Sequence, residues 1–163
     1  MDAYQAVIGK RDRREYQQTP LPDDVVRRIL QAGRMAGSSS NSQPIRLIVM
    51  RDKAVVEALA PGGRGTAPLL KSPLPIAIIL KKGARDFDVG RVAQNMMVAA
   101  WAEGVISCPV GIQDKELAQK VLGYPDDFEV SIGVAFGYPE PGSAGSRNQP
   151  RLPLEELVHW DRW

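Results

Sequence analysis

The sequence predicts a layered fold in which helices and strands alternate. Four short runs rich in branched aliphatic residues, Ile45–Met50, Pro75–Leu80, Val105–Ile112 and Glu129–Phe136, have strand character. Segments whose apolar residues recur at helical spacing lie around and between them. The chain has 163 residues, 44% hydrophobic and 25% charged, the size and balance of one globular domain with one ordinary core. The alternation points to two or three packed layers. Periodicity leaves the strand directions open.

In chain order, a short helix is expected over Ala3–Ile8, ending near Gly9. Pro20 and Pro22 then punctuate the chain. Asp23 opens a longer helix, with Val25, Val26, Ile29, Leu30 and Met35 on one face and Arg27, Arg28 and Arg34 on others. Gly37 and the run Ser38–Ser42 end it as a polar loop before the first strand. Lys53–Leu59 reads as a short helix and Pro61–Gly65 as a flexible turn. The second strand tolerates Pro75 at its start. Val89–Glu103 carries a wide apolar face through Val92, Met96, Ala99 and Ala100, and Gly104 stops it. The third strand is expected to be interrupted by Pro109. Lys115–Leu122 is a helix capped by Gly123. The fourth strand closes at Gly137-Tyr138-Pro139. A loop or arm follows over 139–150. The tail then carries Leu154, Leu157, Trp160 and Trp163, much apolar surface for a terminus and suited to packing on a partner subunit.

Composition excludes several functions. There is one cysteine, Cys108, and one histidine, His159. No intrachain disulfide can form, and a zinc finger or ribbon lacks its ligands. A serine or cysteine triad would have to use His159, close to the C-terminus. Redox chemistry borrowed from a cofactor is the better match to so few reactive side chains. The net charge of +2 gives no basic stripe for nucleic acid. No signal-like start and no membrane-length apolar run is present, so a cytoplasmic protein with no membrane partner is expected. Gly63-Arg64-Gly65-Thr66-Ala67-Pro68 begins like a dinucleotide fingerprint but has proline at its last glycine, and no GxxxxGK[ST] loop occurs.

Four segments have the chemistry of a binding site. In Lys10-Arg11-Asp12-Arg13-Arg14-Glu15-Tyr16, an extended chain would put Lys10, Asp12 and Arg14 on one side, as two cations flanking a carboxylate. This is either a solvated charge run or an anion cradle. In Gly37–Pro44, Asn41 and Gln43 offer amide donors and acceptors suited to a heterocycle with alternating C=O and N–H edges; the plain alternative is a helix-ending loop. Ser107-Cys108-Pro109-Val110-Gly111 is either an ordinary strand end with a buried cysteine or a backbone against a flat ring, where Gly111 allows close approach. Arg151, in Arg151-Leu152-Pro153-Leu154-Glu155-Glu156, is a candidate second arm of a phosphate clamp, alongside Arg147.

Taken in order, these segments resemble the nitroreductase family of FMN-dependent oxidoreductases. Lys10–Tyr16 is similar to the family's opening pattern of a basic pair, a small polar residue and another basic residue before an aromatic. Gly37–Pro44 is similar to its serine loop followed by Asn-x-Gln-Pro. Asp88–Glu103, with Gln94-Asn95, looks like its long central helix. Gly137-Tyr138-Pro139 and Arg151–Glu156 match its closing motifs. Three positions depart from the pattern: Lys10 stands for the usual arginine, Asp12 for the commoner serine, and Gly37 for the proline of the serine loop. The chain is also short, without room for the helices that roof the substrate pocket in larger relatives.

The resemblance implies an α+β fold, a three-layer α/β/α sandwich with a mixed, mainly antiparallel sheet. It implies a single domain over 1–163, homodimeric, with the 139–163 arm packed on the partner and two FMN sites at the interface. It implies Lys10 and Arg151 at the FMN phosphate, with Arg11 and Arg147 as helpers. Asp12 is expected near the ribityl hydroxyls and Arg14 near the N1/C2 edge of the ring. Ser38, Ser39, Ser40, Asn41 and Gln43 would hold polar ring or ribityl atoms, and Pro109, Val110 and Gly111 would lie by N5. No metal and no catalytic side chain are implied, since the chemistry belongs to the flavin. NADH or NADPH would reduce it, and a nitroaromatic, quinone or other electron-poor small molecule would reoxidise it in a ping-pong cycle. The alternatives are an FMN storage or sensor module with little turnover, oxygen-dependent or dehalogenating flavin chemistry, and a small regulatory α/β domain without flavin.

Overall fold

A computed structural model describes residues 2–143 and 150–163. The elements are α1 (Ala3–Gly9), α2 (Asp23–Arg34), β1 (Ile45–Val49), α3 (Lys53–Leu59), α4 (Ala67–Lys71), β2 (Leu74–Lys81), α5 (Asp86–Ala102), β3 (Ile106–Gly111), α6 (Lys115–Leu122), β4 (Phe128–Gly137) and α7 (Leu154–Leu157). The strands form one sheet in the order β1-β2-β4-β3, and every neighbouring pair is antiparallel. Among the described residues, a single parallel bridge, Asp12 to Ser107, adds the mixed character. Both β2 and β3 run antiparallel to β4 and so parallel to each other, and α5 carries the chain between them.

Helices cover both faces. On one, Val25, Val26 and Ile29 of α2 and Val92, Met96 and Ala100 of α5 pack on Ile76, Ile78, Leu80 and Val134. On the other, Val56, Leu59, Leu69 and Ala118 from α3, α4 and α6 pack on Ala77, Ile79, Val130 and Ala135. Alternate residues of β2 supply the two cores, as the strand period of two requires. In β4 the alternation changes phase. Ile78 faces Ile132 but Ile79 faces Val130, so Ser131 is left out of the ladder as a bulge. Ile132 and Val130 therefore serve opposite cores although they are two residues apart.

The helix ends follow their sequences. Asp23 and Asp24 occupy the first turn of α2 and Arg34 its last, each matched to the helix dipole. Asp114 caps α6, accepting from Leu117 N at 2.9 Å, and Gly123 ends it at φ 69°. Two expectations need correction. Pro109 does not interrupt β3, which continues through it opposite Val134. β3 is the edge strand, where a missing N–H costs no ladder bond. Residues 67–71, of which only Ala67 and Pro68 were read above, as the end of a broken glycine motif, form α4, with Pro68 in its first turn where no intrahelical N–H is needed. Among the described residues, no helix is long and apolar enough to cross a membrane.

Candidate functional site

The basic segment runs along the outer edge of β3. Asp12 bridges Ser107, and Arg13 N donates to Ser107 O at 3.1 Å. Tyr16 bridges Pro139 and Gln17 N donates to Tyr138 O at 2.9 Å, which ties the far end of the segment to the chain leaving β4. The Tyr16 hydroxyl donates to Arg13 O at 2.8 Å, and burial pushes its pKa far up. Lys10 is nine-tenths buried; its ammonium bonds the Asp12 carboxylate and lies 3.2 Å from Met97 Sδ on α5. Lys10 and Asp12 do share a side, but as an ion pair rather than as separate groups. Arg11 turns back to cap α1, donating to Ile8 O at 2.7 Å and Lys10 O at 2.9 Å. Arg14 is exposed, and the buried Cys108 thiol donates to Pro109 O at 3.4 Å. Burial raises that thiol's pKa, and the nearby charge of Arg14 opposes the rise.

The second candidate segment occupies a different place. Ser39–Asn41 forms a 3-10 turn, and Ser40, Asn41 and Gln43 adopt left-handed backbone at φ 50°, 52° and 48°. Ser38 Oγ accepts from Gln43 N at 2.9 Å and so closes the loop on itself. Three such residues cost of order 1–3 kcal/mol each, and Asn41 and Gln43 lie exposed at the surface. Ser38 and Gln43 line a cavity of about 420 Å³ with Leu30, Ile45, Leu47 and Asp88, and no residue of Lys10–Arg14 lines it. Arg91 of α5 lies over Gly37, whereas Lys10 touches Met97 of the same helix. Six residues separate those contacts, about 9 Å along the axis.

The remaining candidates divide. Val110 is buried, Pro109 half-buried and Gly111 exposed at the end of β3. Arg151 is exposed and makes no ion pair among the described residues. Arg147 lies outside the described residues. The structure thus gathers Lys10, Asp12 and Arg14 beside Ser107 and Cys108, and keeps Ser38–Gln43 apart from them within one chain.

Two residues lie within the expected segments but were given no individual role from sequence. Arg13 Nε and Ser107 Oγ are buried without a hydrogen-bond partner. Their segments meet at the Asp12–Ser107 bridge, a pairing across 95 positions that no local pattern reveals.

Comparison with known proteins bears on this arrangement. A family model described as the nitroreductase family matches residues 7–68 and 83–138, well over half of the chain. The chain belongs to the nitroreductase family. Its match takes in Lys10–Arg14, the Ser38–Gln43 loop and Pro109–Gly111, and stops before Arg151. Among curated members, the chain is 28% identical to "NADH dehydrogenase" of Thermus thermophilus, with 98% of this chain and 96% of that protein aligned. It is 26% identical to "NADPH-flavin oxidoreductase" of Vibrio harveyi, over 98% of this chain and 73% of that one. The nitroreductase A structure from Vibrio parahaemolyticus superposes with a TM-score of 0.90 at 22% identity, covering 100% of this chain and 77% of that one. The three-layer nitroreductase fold is shared with it.

Proposed function

We propose that this nitroreductase-family chain is an FMN-dependent oxidoreductase that takes electrons from NADH or NADPH. Its acceptors are nitroaromatics, quinones or similar electron-poor small molecules, reduced in a ping-pong cycle. The observation that carries the reading is the β3 edge, where the cation-rich Lys10–Arg14 segment lies along Ser107. Arg13 Nε and Ser107 Oγ lack partners beside Lys10 and Arg14, a donor set suited to an anionic, hydroxyl-rich ligand such as FMN. Bound FMN would supply a ring that accepts a hydride and releases electrons singly or in pairs.

The chain's own groups divide the work of holding it. An ammonium has three donors; Lys10 directs one at Asp12 and another at Met97, which leaves one for a phosphate. Arg11 and Arg147 assist it, and Arg151 closes the clamp. Arg14 favours negative charge on the N1/C2 edge of the ring, and Asp12 accepts from ribityl hydroxyls. Ser38, Ser39, Ser40, Asn41 and Gln43 bond polar ring or ribityl atoms. The backbone of Pro109, Val110 and Gly111 lies by the ring.

A site that uses both Lys10–Arg14 and Ser38–Gln43 draws them from two chains, because one chain holds them apart. The homodimer is part of the proposal for that reason. The tail supports it: Trp160 is 86% and Trp163 101% exposed, with Leu154 and Leu157 also uncovered. Burial of such surface on a second copy is favourable by about 25 cal/mol per Å². The single cysteine suits a reducing cytoplasm.

The visible spectrum of the purified protein tests the reading. Yellow colour retained through ultrafiltration after FMN addition, bleached by NADH or NADPH and restored by a quinone, is the expected result. A protein that stays colourless after the same treatment overturns it.

A further inference from the structure

The turn at Pro61–Gly65 has no role in the site described so far, yet it is fastened to it. Gln113 N and Asp114 N both donate to Gly62 O at 2.8 Å. Gln113 Oε1 accepts from Arg64 N at 2.8 Å. A Cβ on Gly63 would fall 2.4 Å from the Gly111 carbonyl oxygen, so only glycine lets the turn lie this close to the end of β3. The side-chain amide of Gln113 also folds over Gly111, with Nε2 2.7 Å from where a Cβ would stand. Three bonds and one backbone contact therefore hold Arg64 beside Gly111.

Arg64 itself is exposed. Its guanidinium makes no hydrogen bond or ion pair among the described residues. Three other arginines spend their donors within the fold: Arg28 on Asp24 and Glu103, Arg51 on Asp23, and Arg46 on backbone carbonyls. The pinned turn fixes where the Arg64 guanidinium can reach, and with no partner its donors are free for a phosphate. It stands at the opposite end of β3 from the Lys10–Arg14 cluster. Ser107 and Gly111 are four residues apart, about 13 Å along the strand, too far for both groups to hold the same phosphate.

We propose that Arg64 docks a phosphate of the pyridine nucleotide donor, and that Gln113 is the positioning residue that presents it. This rests on the reading that Gly111 lies beside the flavin ring. The guanidinium would grip either the diphosphate shared by NADH and NADPH or the 2′-phosphate found only in NADPH. Either way the interaction is a charge-assisted pair, and salt weakens it.

The test uses FMN-loaded protein, titrated in its oxidised form with NADP+ and with NAD+ by calorimetry, and assayed for the KM of each reduced nucleotide. Arg64→Ala should weaken binding about tenfold, the loss of one charge-assisted bond, with kcat and FMN retention unchanged. Arg64→Lys should fall between, and Gln113→Ala should weaken nucleotide binding in the same direction. Loss for both nucleotides assigns the diphosphate, and loss for NADP+ alone assigns the 2′-phosphate. A yellow Arg64→Ala protein that binds both nucleotides as the parent does overturns the proposal. So does a variant that loses FMN instead. A parent that takes up no FMN overturns the flavin reading, and this proposal with it.

Discussion

The guanidinium of Arg91 lies directly over Gly37: a Cβ at Gly37 would stand 2.5 Å from Arg91 Nη2 and 3.2 Å from Cζ. Arg91 is held there by its own helix, stacked 5.7 Å from the Phe87 ring centroid and 4.0 Å from the Asp88 carboxylate. The Arg91 side chain thus covers the entry to the Ser38–Gln43 loop. Gly37→Ala should push Arg91 aside and loosen the loop, lowering FMN affinity about tenfold if the loop gives up one good polar contact. In an Arg91→Ala background the same change should add little, because its space has been vacated. Fluorescence titration of FMN on the four proteins of this cycle measures the coupling; additive effects would mean the contact does not govern the loop.

Removing the carboxylate from the Lys10–Asp12 pair should destabilise the fold. Asp12→Ala leaves a nine-tenths-buried ammonium with Met97 Sδ as its remaining partner. The cost is about 1–3 kcal/mol, that of an uncompensated buried polar group. Urea unfolding of Asp12→Ala checks it, and Lys10→Met with Asp12→Ala should recover part of the loss.

Stability should fall on the alkaline side. Burial raises the pKa of both Tyr16 and Cys108, so the folded protein keeps protons that the unfolded chain releases. Between the unfolded and folded values the native state binds more protons, and stability declines with rising pH. The decline starts near the ordinary thiol and phenol range, roughly pH 9–10. Below it the contribution is constant. Thermal melts from pH 7 to 11 should show it, and Tyr16→Phe should flatten the curve while lowering stability at pH 7 through the lost bond to Arg13 O. A melting temperature independent of pH over that range would contradict both shifts.

Deleting residues 152–163 should convert the proposed dimer into a monomer with its core intact. None of Leu152, Leu154, Leu157, Trp160 or Trp163 is buried within the chain, so their loss costs the single subunit little. Sedimentation velocity should show the smaller species, with far-UV circular dichroism little changed. A truncated protein that still sediments as a dimer would remove the tail from the interface.

Much of the fold was legible because its signals are local. The α2 and α5 periodicities, the Gly123 cap and the apolar β2 run each specify an element from neighbouring residues alone. Strand direction was not legible, because it depends on which edge each connection returns to. α4 was hidden because Pro68 spoiled one motif while opening a helix. Pro109 looked like a break because a strand's place at the sheet edge is a property of the whole fold. For the site, the alternation of Lys10 and Asp12 was readable as a shared side. Their mutual pairing, the orphaned Arg13 and Ser107 atoms, and the Gln113 clamp on Arg64 all depend on contacts between distant segments.

The bridge between Asp12 and Ser107, together with Pro109, has a consequence for assembly. An uncovered strand edge invites pairing with another chain, and proteins block such edges with proline, charge or a covering segment. β3 has all three: Pro109 lacks a donor, and Lys10–Arg14 both covers its start and charges it. The sheet is therefore closed to growth on the side where the cofactor is proposed to sit. β1, at the opposite margin and without a neighbour beyond it among the described residues, is the edge at which misfolded chains would stack, and the place to set a lysine or proline if solubility has to be improved.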